Sequence, residues 1–172
     1  MLRWSALHCS RAKFTFKLDT DCFIRVRPFL ARLLSFPPDR SYGFNRAHLP
    51  VLRSGKWAID AWYYPYASYP TFNPTVYLLP GQATLPLYEA LVGQPTTETI
   101  PALPFEDAFV TGILAEKLCL PRATFPGLAV LFDRLVGTSD RHNVPYLKRL
   151  VVVMETLGDE DLRRIWAALG AD

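Results

Sequence analysis

Two aspartates, Asp19 and Asp21, stand together at the end of an apolar, strand-like run. Carboxylates placed just beyond a strand lie at the rim of a sheet, which is where ligands bind in open α/β folds. Two hard oxygen ligands, completed by substrate phosphates, suit Mg²⁺ or Mn²⁺. The Asp-Thr-Asp triplet also fits a plain acidic turn after a strand, and taken alone it favours that structural interpretation.

A second pair of carboxylates, Glu106 and Asp107, follows a proline-rich loop and begins a run with helical periodicity. A carboxylate at such a position can act as a general base and remove the proton of a substrate hydroxyl. It can also serve only to complement the positive end of the helix dipole. Without further context, this pair favours the second interpretation.

Aromatic residues and prolines alternate between Trp57 and Tyr77. Aromatic faces stack on sugar rings and nucleobases, and prolines fix the backbone of such a loop in advance. A loop that covers the hydrophobic core has the same composition, and the residues alone favour it.

Other familiar reaction motifs are missing from the sequence. His8, His48 and His142 lack the spacing of metal ligands, and three scattered cysteines form neither a zinc site nor a disulfide scaffold. There is no nucleophile elbow and no glycine-rich phosphate loop. The net charge of +3, from 19 basic and 16 acidic residues, is too small to indicate a nucleic-acid or membrane-surface partner.

Short strands and helices must position these groups. The 172 residues, 50% of them hydrophobic, suit one globular domain in which strands alternate with helices, an α/β fold. Strands are predicted at the start of 12–24, within 53–60 and at 75–79, and residues 147–154 fit either a strand or a helix. Helices are predicted at 2–10, at 28–34 with Pro28 in the first position, and at 85–92, 106–119 and 162–169, with a loop at 94–104.

The first of these elements resembles a block of the animal β-1,3-galactosyltransferase family. The run AKFTFKLDTDCFI, residues 12–24, is similar to the family's strand ending in K-x-D-x-D-x-F. Lys17, Asp19, Asp21 and Phe23 fall on this pattern.

Two further blocks follow in the family's order. Lys56-Trp57, Tyr64-Pro65 and Tyr69-Pro70 look like its K-W…Y-P…Y-P segment. Phe105 to Ala115, FEDAFVTGILA, resembles its E-D-V-aromatic-x-G block. Three ordered blocks are more specific than any one of them, and the resemblance covers residues 1–122.

The resemblance implies a GT-A-like fold, a mixed sheet flanked by helices, whose first nucleotide-binding strands would precede residue 1. Residues 1–122 are expected to form part of a glycosyltransferase catalytic domain, and 123–172 a helical C-terminal extension of it. The family's membrane anchor would also precede this chain, which is therefore expected to be N-terminally incomplete. The family acts on the luminal side of the Golgi membrane.

The resemblance also implies a hexosyltransferase reaction. The hexosyl group, most simply galactose, moves from a UDP-sugar to a glycan hydroxyl with inversion and forms a β-1,3 linkage in protein or lipid glycosylation. Mn²⁺ would bridge the diphosphate and the carboxylates, with Asp21 as the main ligand and Asp19 in support. Asp107 would be the base, and Glu106 would orient it or the acceptor.

The residues implied for donor or acceptor binding are Lys17, Trp57, Tyr69, Phe72 and Tyr77. Just before Tyr77, the family has a glycine-rich stretch where this chain has Asn73-Pro74-Thr75-Val76. Glycine there would let the backbone approach the sugar closely, and proline and valine restrict it.

Three alternatives stay open. The donor sugar could be N-acetylglucosamine or N-acetylgalactosamine, transferred by the same mechanism. The chain could be a non-catalytic or degenerate relative that binds partners. An unrelated α/β domain could match the three blocks by chance.

Overall fold

The structure is a computed structural model in which helices alternate with short strands. It describes residues 1–93, 103–130, 149, 151–154, 159, 160, 163, 166 and 167. In chain order the elements are α1 (Leu2–His8), β1 (Phe14–Lys17), β2 (Phe23–Ile24), α2 (Val26–Ser35), β3 (Ser41–Gly43), β4 (Tyr77–Pro80), α3 (Gly81–Val92), a π-helix (Ala108–Leu114), α4 (Ala115–Lys117), β5 (Arg122–Thr124), β6 (Leu128–Val130) and β7 (Val152–Met154).

These elements form two units, each with its own sheet. The first unit comprises Met1–Lys17 with Pro38–Thr124, and the second comprises Leu18–Pro37 with Phe125–Asp172. The strand order is β1-β4-β3-β5 in the first sheet and β2-β7-β6 in the second. Each sheet combines antiparallel pairing with one parallel pair, β3–β5 in the first and β6–β7 in the second. The predicted α/β class with a mixed sheet is therefore confirmed.

Strand β4 lies between β1 and β3 in the first sheet. All of its residues are buried, as expected for an apolar run that has a neighbouring strand on each edge. Tyr77 and Leu79 enter a core that also includes Phe109 and Leu114 of the π-helix. Tyr77 pairs with Lys17 of β1 and with Gly43 of β3, so that the ends of two strands meet the beginning of β4.

The second unit is held by aromatic contacts around α2. Phe29 is the buried residue of this helix, and its ring stacks on that of Phe125 at 5.8 Å between centroids. The ring of Phe36 meets the same Phe125 edge-on at 5.1 Å. Arg32 Nη1 donates a hydrogen bond to the Pro126 carbonyl. The helix is thereby fixed to the segment that leads into β6.

Most predicted elements of the described residues are confirmed with shifted boundaries. Helix α3 begins at Gly81 rather than at Leu85, and β4 begins at Tyr77 rather than at Thr75. Pro28 is the third residue of α2, not the first as predicted. The first turn of a helix leaves its N–H groups without helical partners, so proline is tolerated at the third position as well.

The short strand predicted within 53–60 does not form. Gly55 has a φ of 84°, which turns the chain. The Ala58 N–H then donates to the Gly55 carbonyl at 3.2 Å, and the Ile59 N–H donates to the Leu52 carbonyl at 3.0 Å. These bonds close a turn where a strand would need an extended backbone.

Some predictions fall on residues that the structure does not describe. The loop at 94–104 and the helix at 162–169 lie largely outside the described ranges, although residues 163, 166 and 167 are helical. The division at 122/123 stays a prediction, and the described part of 123–172 includes β6 and β7. Within the described ranges, each helix is too short or too polar to cross a membrane.

Candidate active site

The Glu106 carboxylate is held by side chains of two adjacent strands of the first sheet. Its Oε1 lies 2.8 Å from Nζ of Lys17 at the end of β1. Its Oε2 accepts a hydrogen bond of 2.5 Å from the hydroxyl of Tyr77, the first residue of β4. Because Lys17 and Tyr77 are register partners in adjacent strands, the sheet fixes both oxygens of an exposed carboxylate.

Asp107, the next residue, is half-buried. Its Oδ1 accepts the Ala108 N–H at 2.7 Å, and its Oδ2 accepts the Thr75 N–H at 3.2 Å. Burial raises the pKa of the Asp107 carboxyl, with help from the charge of Glu106 and against the two N–H bonds and the Lys17 ammonium. A carboxylate with a raised pKa is a stronger proton acceptor, so Asp107 suits the role of a general base.

The segment Asn73–Val76 forms a bulge in front of β4. The ladder between β3 and β4 ends at the pair Gly43 and Tyr77, and pairing resumes at a bridge between Arg46 and Phe72. Two residues on one side therefore oppose four on the other. Bulges bend a strand and are frequent beside active sites.

Thr75 lies in this bulge with a φ of 64°, which glycine adopts readily and β-branched residues rarely do. The Val76 N–H donates to the Pro74 carbonyl at 2.6 Å, so that Thr75 is the centre of a γ-turn. The Thr75 N–H thereby reaches Asp107, and its carbonyl accepts a bond of 2.8 Å from Lys17 Nζ. The chain makes a turn here that is typical of glycine, without a glycine.

Five residues from distant parts of the sequence meet at this point, and we call them the carboxylate cluster: Lys17, Thr75, Tyr77, Glu106 and Asp107. The Lys17 ammonium also lies 5.7 Å from the centre of the Tyr77 ring. The cluster presents one exposed carboxylate with fixed oxygens beside one half-buried carboxylate with a raised pKa. Such a pair can orient one hydroxyl group and deprotonate it.

Thr111 connects the bulge to the helix that carries both carboxylates. It belongs to the π-helix Ala108–Leu114, a rare form that is often found at functional sites. Its Oγ1 donates to the Asp107 carbonyl at 2.7 Å and accepts the Asn73 N–H at 2.8 Å. The backbone of Asp107 is therefore fixed to the segment whose Thr75 N–H binds its side chain.

Arg122 holds the same helix from β5. Its Nε donates to the Thr111 carbonyl at 2.8 Å, and its Nη2 donates to the Gly112 carbonyl at 3.0 Å. Nη2 also lies 2.8 Å from Oε2 of Glu116. A single guanidinium thus supplies partners to two carbonyl groups of the wide π-helical turn.

Replacing Arg122 by methionine is expected to lower the free energy of unfolding by about 2–4 kcal/mol, because the carbonyls of two buried residues each lose the hydrogen bond from the guanidinium. The matched control is Arg40→Met, which breaks an ion pair with the exposed Asp39 and should change the stability much less, because solvent screens exposed ion pairs. Urea unfolding followed by circular dichroism measures both. Equal losses in the two variants would mean that Arg122 does not hold the helix.

The aromatic residues predicted to contact a sugar fall into two groups. Trp57 is exposed, and its ring centroid lies 5.4 Å from that of Phe105, the residue before the two carboxylates. Tyr69, Phe72 and Tyr77 are buried in the hydrophobic core. Trp57 therefore contacts the residue that precedes Glu106 in the chain, whereas the other three rings hold the loop and β4 in place. Their contact with a sugar stays a prediction.

Asp19 and Asp21 belong to the second unit, in the turn before β2. Asp19 is half-buried and Asp21 is exposed. The Cys22 N–H donates to the Asp19 carbonyl at 3.3 Å, and its Sγ donates to Asp21 Oδ1 at 3.7 Å. Among the described residues, no three His, Cys, Asp or Glu side chains form a metal-binding group. Two carboxylates in one turn fit a divalent ion that takes its other ligands from a diphosphate and water.

Sequence reasoning missed Thr75, Thr111 and Arg122. A threonine after proline gives no signal of a positive φ, and an isolated arginine gives no signal of its partners. Only the position of Thr111, inside a block that resembles a known family, could have singled it out. These three residues act through hydrogen bonds in which at least one partner is a backbone group, and residue type alone does not specify such bonds.

Known proteins match the part of the chain that contains the carboxylate cluster. The galactosyltransferase family model matches residues 1–126. Beta-1,3-galactosyltransferase 1 of Mus musculus and of Homo sapiens are each 27% identical to this chain, over 96% of it and 48% of the relative. The chain thus spans about half the length of the curated relatives it matches. Since the family match covers most of the chain and the whole carboxylate cluster, the chain belongs to the galactosyltransferase family.

Proposed function

We propose that this chain transfers a hexosyl group, most simply galactose, from a UDP-sugar to a hydroxyl of a glycan acceptor. Membership of the galactosyltransferase family supports glycosyl transfer in general. The similarity to beta-1,3-galactosyltransferase 1 supports galactose as the sugar and β-1,3 as the linkage. As part of the proposal, transfer inverts the anomeric centre and modifies protein or lipid glycans on the luminal side of the Golgi membrane.

The half-buried Asp107 carboxylate is the observation that carries this proposal. In the reaction, Asp107 accepts the proton of the acceptor hydroxyl while the hydroxyl oxygen forms a bond to the anomeric carbon of the donor. The bond between that carbon and UDP breaks, and UDP leaves with the electron pair. The N–H groups of Ala108 and Thr75 keep the base in one orientation during this displacement.

Glu106 orients the acceptor in this proposal. Its two oxygens are held by Lys17 and Tyr77, yet the side chain stays exposed. A carboxylate fixed in this way accepts a hydrogen bond from a neighbouring sugar hydroxyl in one direction. The reacting hydroxyl is then presented to Asp107 rather than left free to rotate.

Mn²⁺ is the metal that we propose for the turn of Asp19 and Asp21. Exposed Asp21 would be its main ligand and Asp19 a supporting one, because carboxylate oxygens suit a hard divalent ion. When bound, the ion would act as a Lewis acid that neutralises charge on the departing UDP. The ion would take its remaining ligands from the diphosphate and water.

Replacing Asp21 by alanine is expected to weaken Mn²⁺-dependent UDP binding at least about tenfold, because the main metal ligand is lost. Calorimetry with UDP, with and without Mn²⁺, measures the effect on the 172-residue chain. Asp39→Ala is the control, since that exposed carboxylate pairs with its neighbour Arg40. Unchanged Mn²⁺-dependent affinity in Asp21→Ala would contradict the proposed metal site.

A transfer assay tests the function itself. UDP-galactose, UDP-N-acetylglucosamine and UDP-N-acetylgalactosamine are each offered with methyl β-galactoside and Mn²⁺, and UDP release is measured. Release from UDP-galactose with a β-1,3-linked product, identified by NMR, is expected. Preference for an N-acetylhexosamine donor would correct the sugar. UDP binding without transfer from any donor would favour the non-catalytic alternative.

A further inference from the structure

Three aromatic side chains project into solvent from one loop of the first unit. Trp57, Trp62 and Tyr66 are 53%, 82% and 64% exposed. We call residues 57–66 the aromatic loop. Large aromatic side chains gain from burial, and exposed apolar surface of this kind often marks a binding site.

The aromatic loop is fixed by the core of its own unit. Arg53 Nη1 donates to the carbonyls of Ile59 and Tyr64 at 2.8 and 3.0 Å, and its Nη2 donates to the Tyr66 carbonyl at 2.8 Å. The ring of Tyr64 stacks on that of buried Tyr69 at 5.4 Å. The exposed rings therefore stand on an immobilised backbone, which lowers the entropy lost on binding a ligand.

The first residue of the aromatic loop contacts the residue that precedes the two carboxylates. The ring of Trp57 contacts Phe105, and Phe105 directly precedes Glu106 in the chain. A chain of sugar units that placed one hydroxyl at Glu106 and Asp107 could extend from there along the loop.

The charge of the loop indicates a neutral ligand. Asp60 is the one charged residue within 57–66. Lys56 directly precedes the loop, with its Nζ 4.5 Å from the centre of the Trp57 ring, but one lysine is not the cluster of lysine and arginine that anionic lipid surfaces attract. Sugar rings are neutral, and they offer apolar C–H faces to aromatic rings and hydroxyl groups to the polar edges of tryptophan and tyrosine.

We propose that Trp62 and Tyr66 form an accessory carbohydrate-binding surface that holds the sugar units of the acceptor beyond the one that reacts. This inference rests on the proposed function, because it names the acceptor as an oligosaccharide rather than a single sugar. It also goes beyond it, since neither side chain is part of the carboxylate cluster. Longer neutral acceptors bind more tightly than short ones for this reason.

The test compares two acceptors and three proteins. Saturation-transfer NMR measures the affinity of the 172-residue chain for methyl β-galactoside and for lacto-N-neotetraose, a neutral tetrasaccharide that ends in a β-galactoside. The same titrations are made with the Trp62→Ala/Tyr66→Ala double variant. Trp4→Ala is the control, because Trp4 is another exposed tryptophan, on α1, with 66% of its surface in solvent.

The wild-type chain is expected to bind the tetrasaccharide more tightly than the monosaccharide. The double variant should lose this advantage, a weakening of about tenfold for two aromatic contacts, while Trp4→Ala keeps it. The double variant and Trp4→Ala remove exposed side chains only. Their thermal melts should therefore coincide with that of the wild type and exclude loss of folding. Equal affinity of the double variant and the wild type for the tetrasaccharide, or no tetrasaccharide binding by the wild type, overturns the inference.

Two further readouts separate this inference from other outcomes. Tetrasaccharide binding that depends on Trp62 and Tyr66, in a chain without transfer activity, supports the surface and contradicts the proposed function. If the chain transfers sugar to methyl β-galactoside but the double variant leaves the KM for the tetrasaccharide unchanged, the proposed function is supported and the accessory surface is contradicted. Binding to phosphatidylcholine–phosphatidylserine vesicles that is lost in the double variant, with tetrasaccharide affinity intact, overturns the inference in favour of a membrane surface.

Discussion

Replacing Asp107 by asparagine is expected to slow sugar transfer by about 10²–10⁴-fold, the usual contribution of a general base. Asparagine has nearly the same shape, and its carbonyl oxygen can still accept one of the N–H bonds from Ala108 or Thr75. Its amide does not take up a proton at neutral pH, so the proton transfer is lost, and one of the two N–H groups also loses its acceptor. The initial rate of UDP release from UDP-galactose measures the effect.

The pH dependence of the same rate provides a second reading of this variant. Because burial raises the pKa of Asp107, its base form should be lost, on lowering the pH, at higher pH than for an ordinary aspartate. The wild-type rate is therefore expected to fall as the pH decreases through this raised pKa. The residual rate of Asp107→Asn should lack that fall.

Two control variants separate the base from its neighbours. Glu106→Gln keeps acceptor contacts at one oxygen and should slow transfer less than about tenfold, because Glu106 orients the hydroxyl and does not accept its proton. Asp39→Asn changes an exposed carboxylate that is paired with Arg40 and should leave the rate unchanged. If Asp107→Asn kept more than a tenth of the wild-type rate, Asp107 would not be the base. A larger loss in Glu106→Gln would assign that role to Glu106.

The strands and helices that carry the two carboxylates follow from local sequence patterns. The alternation that begins at Phe14 predicts β1, and the apolar run after Asp107 predicts the helix, because each pattern repeats over neighbouring residues. The family resemblance of these blocks is also local, and it identified the family correctly. The π-helical form of this segment was not predictable from local sequence. It depends on contacts of Thr111 with residues outside the helix: the Asn73 N–H donates to its hydroxyl, and Arg122 donates to its carbonyl.

The bulge at Asn73–Val76 shows why the geometry of the site does not follow from local preference. A threonine at a φ of 64° contradicts the intrinsic preference of a β-branched residue. The conformation is compensated by bonds to residues far away in the chain, from the Thr75 N–H to Asp107 and from Lys17 to the Thr75 carbonyl. Sequence reasoning treated the lack of glycine as a restriction, whereas tertiary contacts supply what glycine would allow.

The aromatic segment illustrates the same limit for side chains. Tyr64, Tyr66 and Tyr69 lie within six positions and are chemically identical, yet Tyr66 is exposed and the other two are buried. The difference arises from the bonds of Arg53 and from the core beneath the loop. Composition fitted a sugar-contacting loop and a loop that covers the core, and favoured the second. Which rings face solvent depends on packing that no local pattern records.

Replacing Gly81 by alanine is expected to destabilise the first unit by about 4 kcal/mol, an unusually large effect for adding one methyl group. An alanine Cβ would lie 1.7 Å from the carbonyl oxygen of Ala12, in the segment that leads into β1. Neither side can move freely, because the Gly81 N–H donates to the Lys13 carbonyl at 2.9 Å and Pro80 pairs with Phe14. Thermal unfolding should shift down by about 8–16 °C for a chain of this size.

Gly55→Ala is the matched control for this variant. Gly55 has a φ of 84° but nothing within 4 Å of an added Cβ, so alanine there meets only backbone strain, about 1–2 kcal/mol. A melting temperature that falls no further in Gly81→Ala than in Gly55→Ala would contradict the close approach of β1 to the start of α3. If the larger shift is found, transfer should fall as well, because β1 places Lys17 against Glu106 and any displacement of the strand moves that contact.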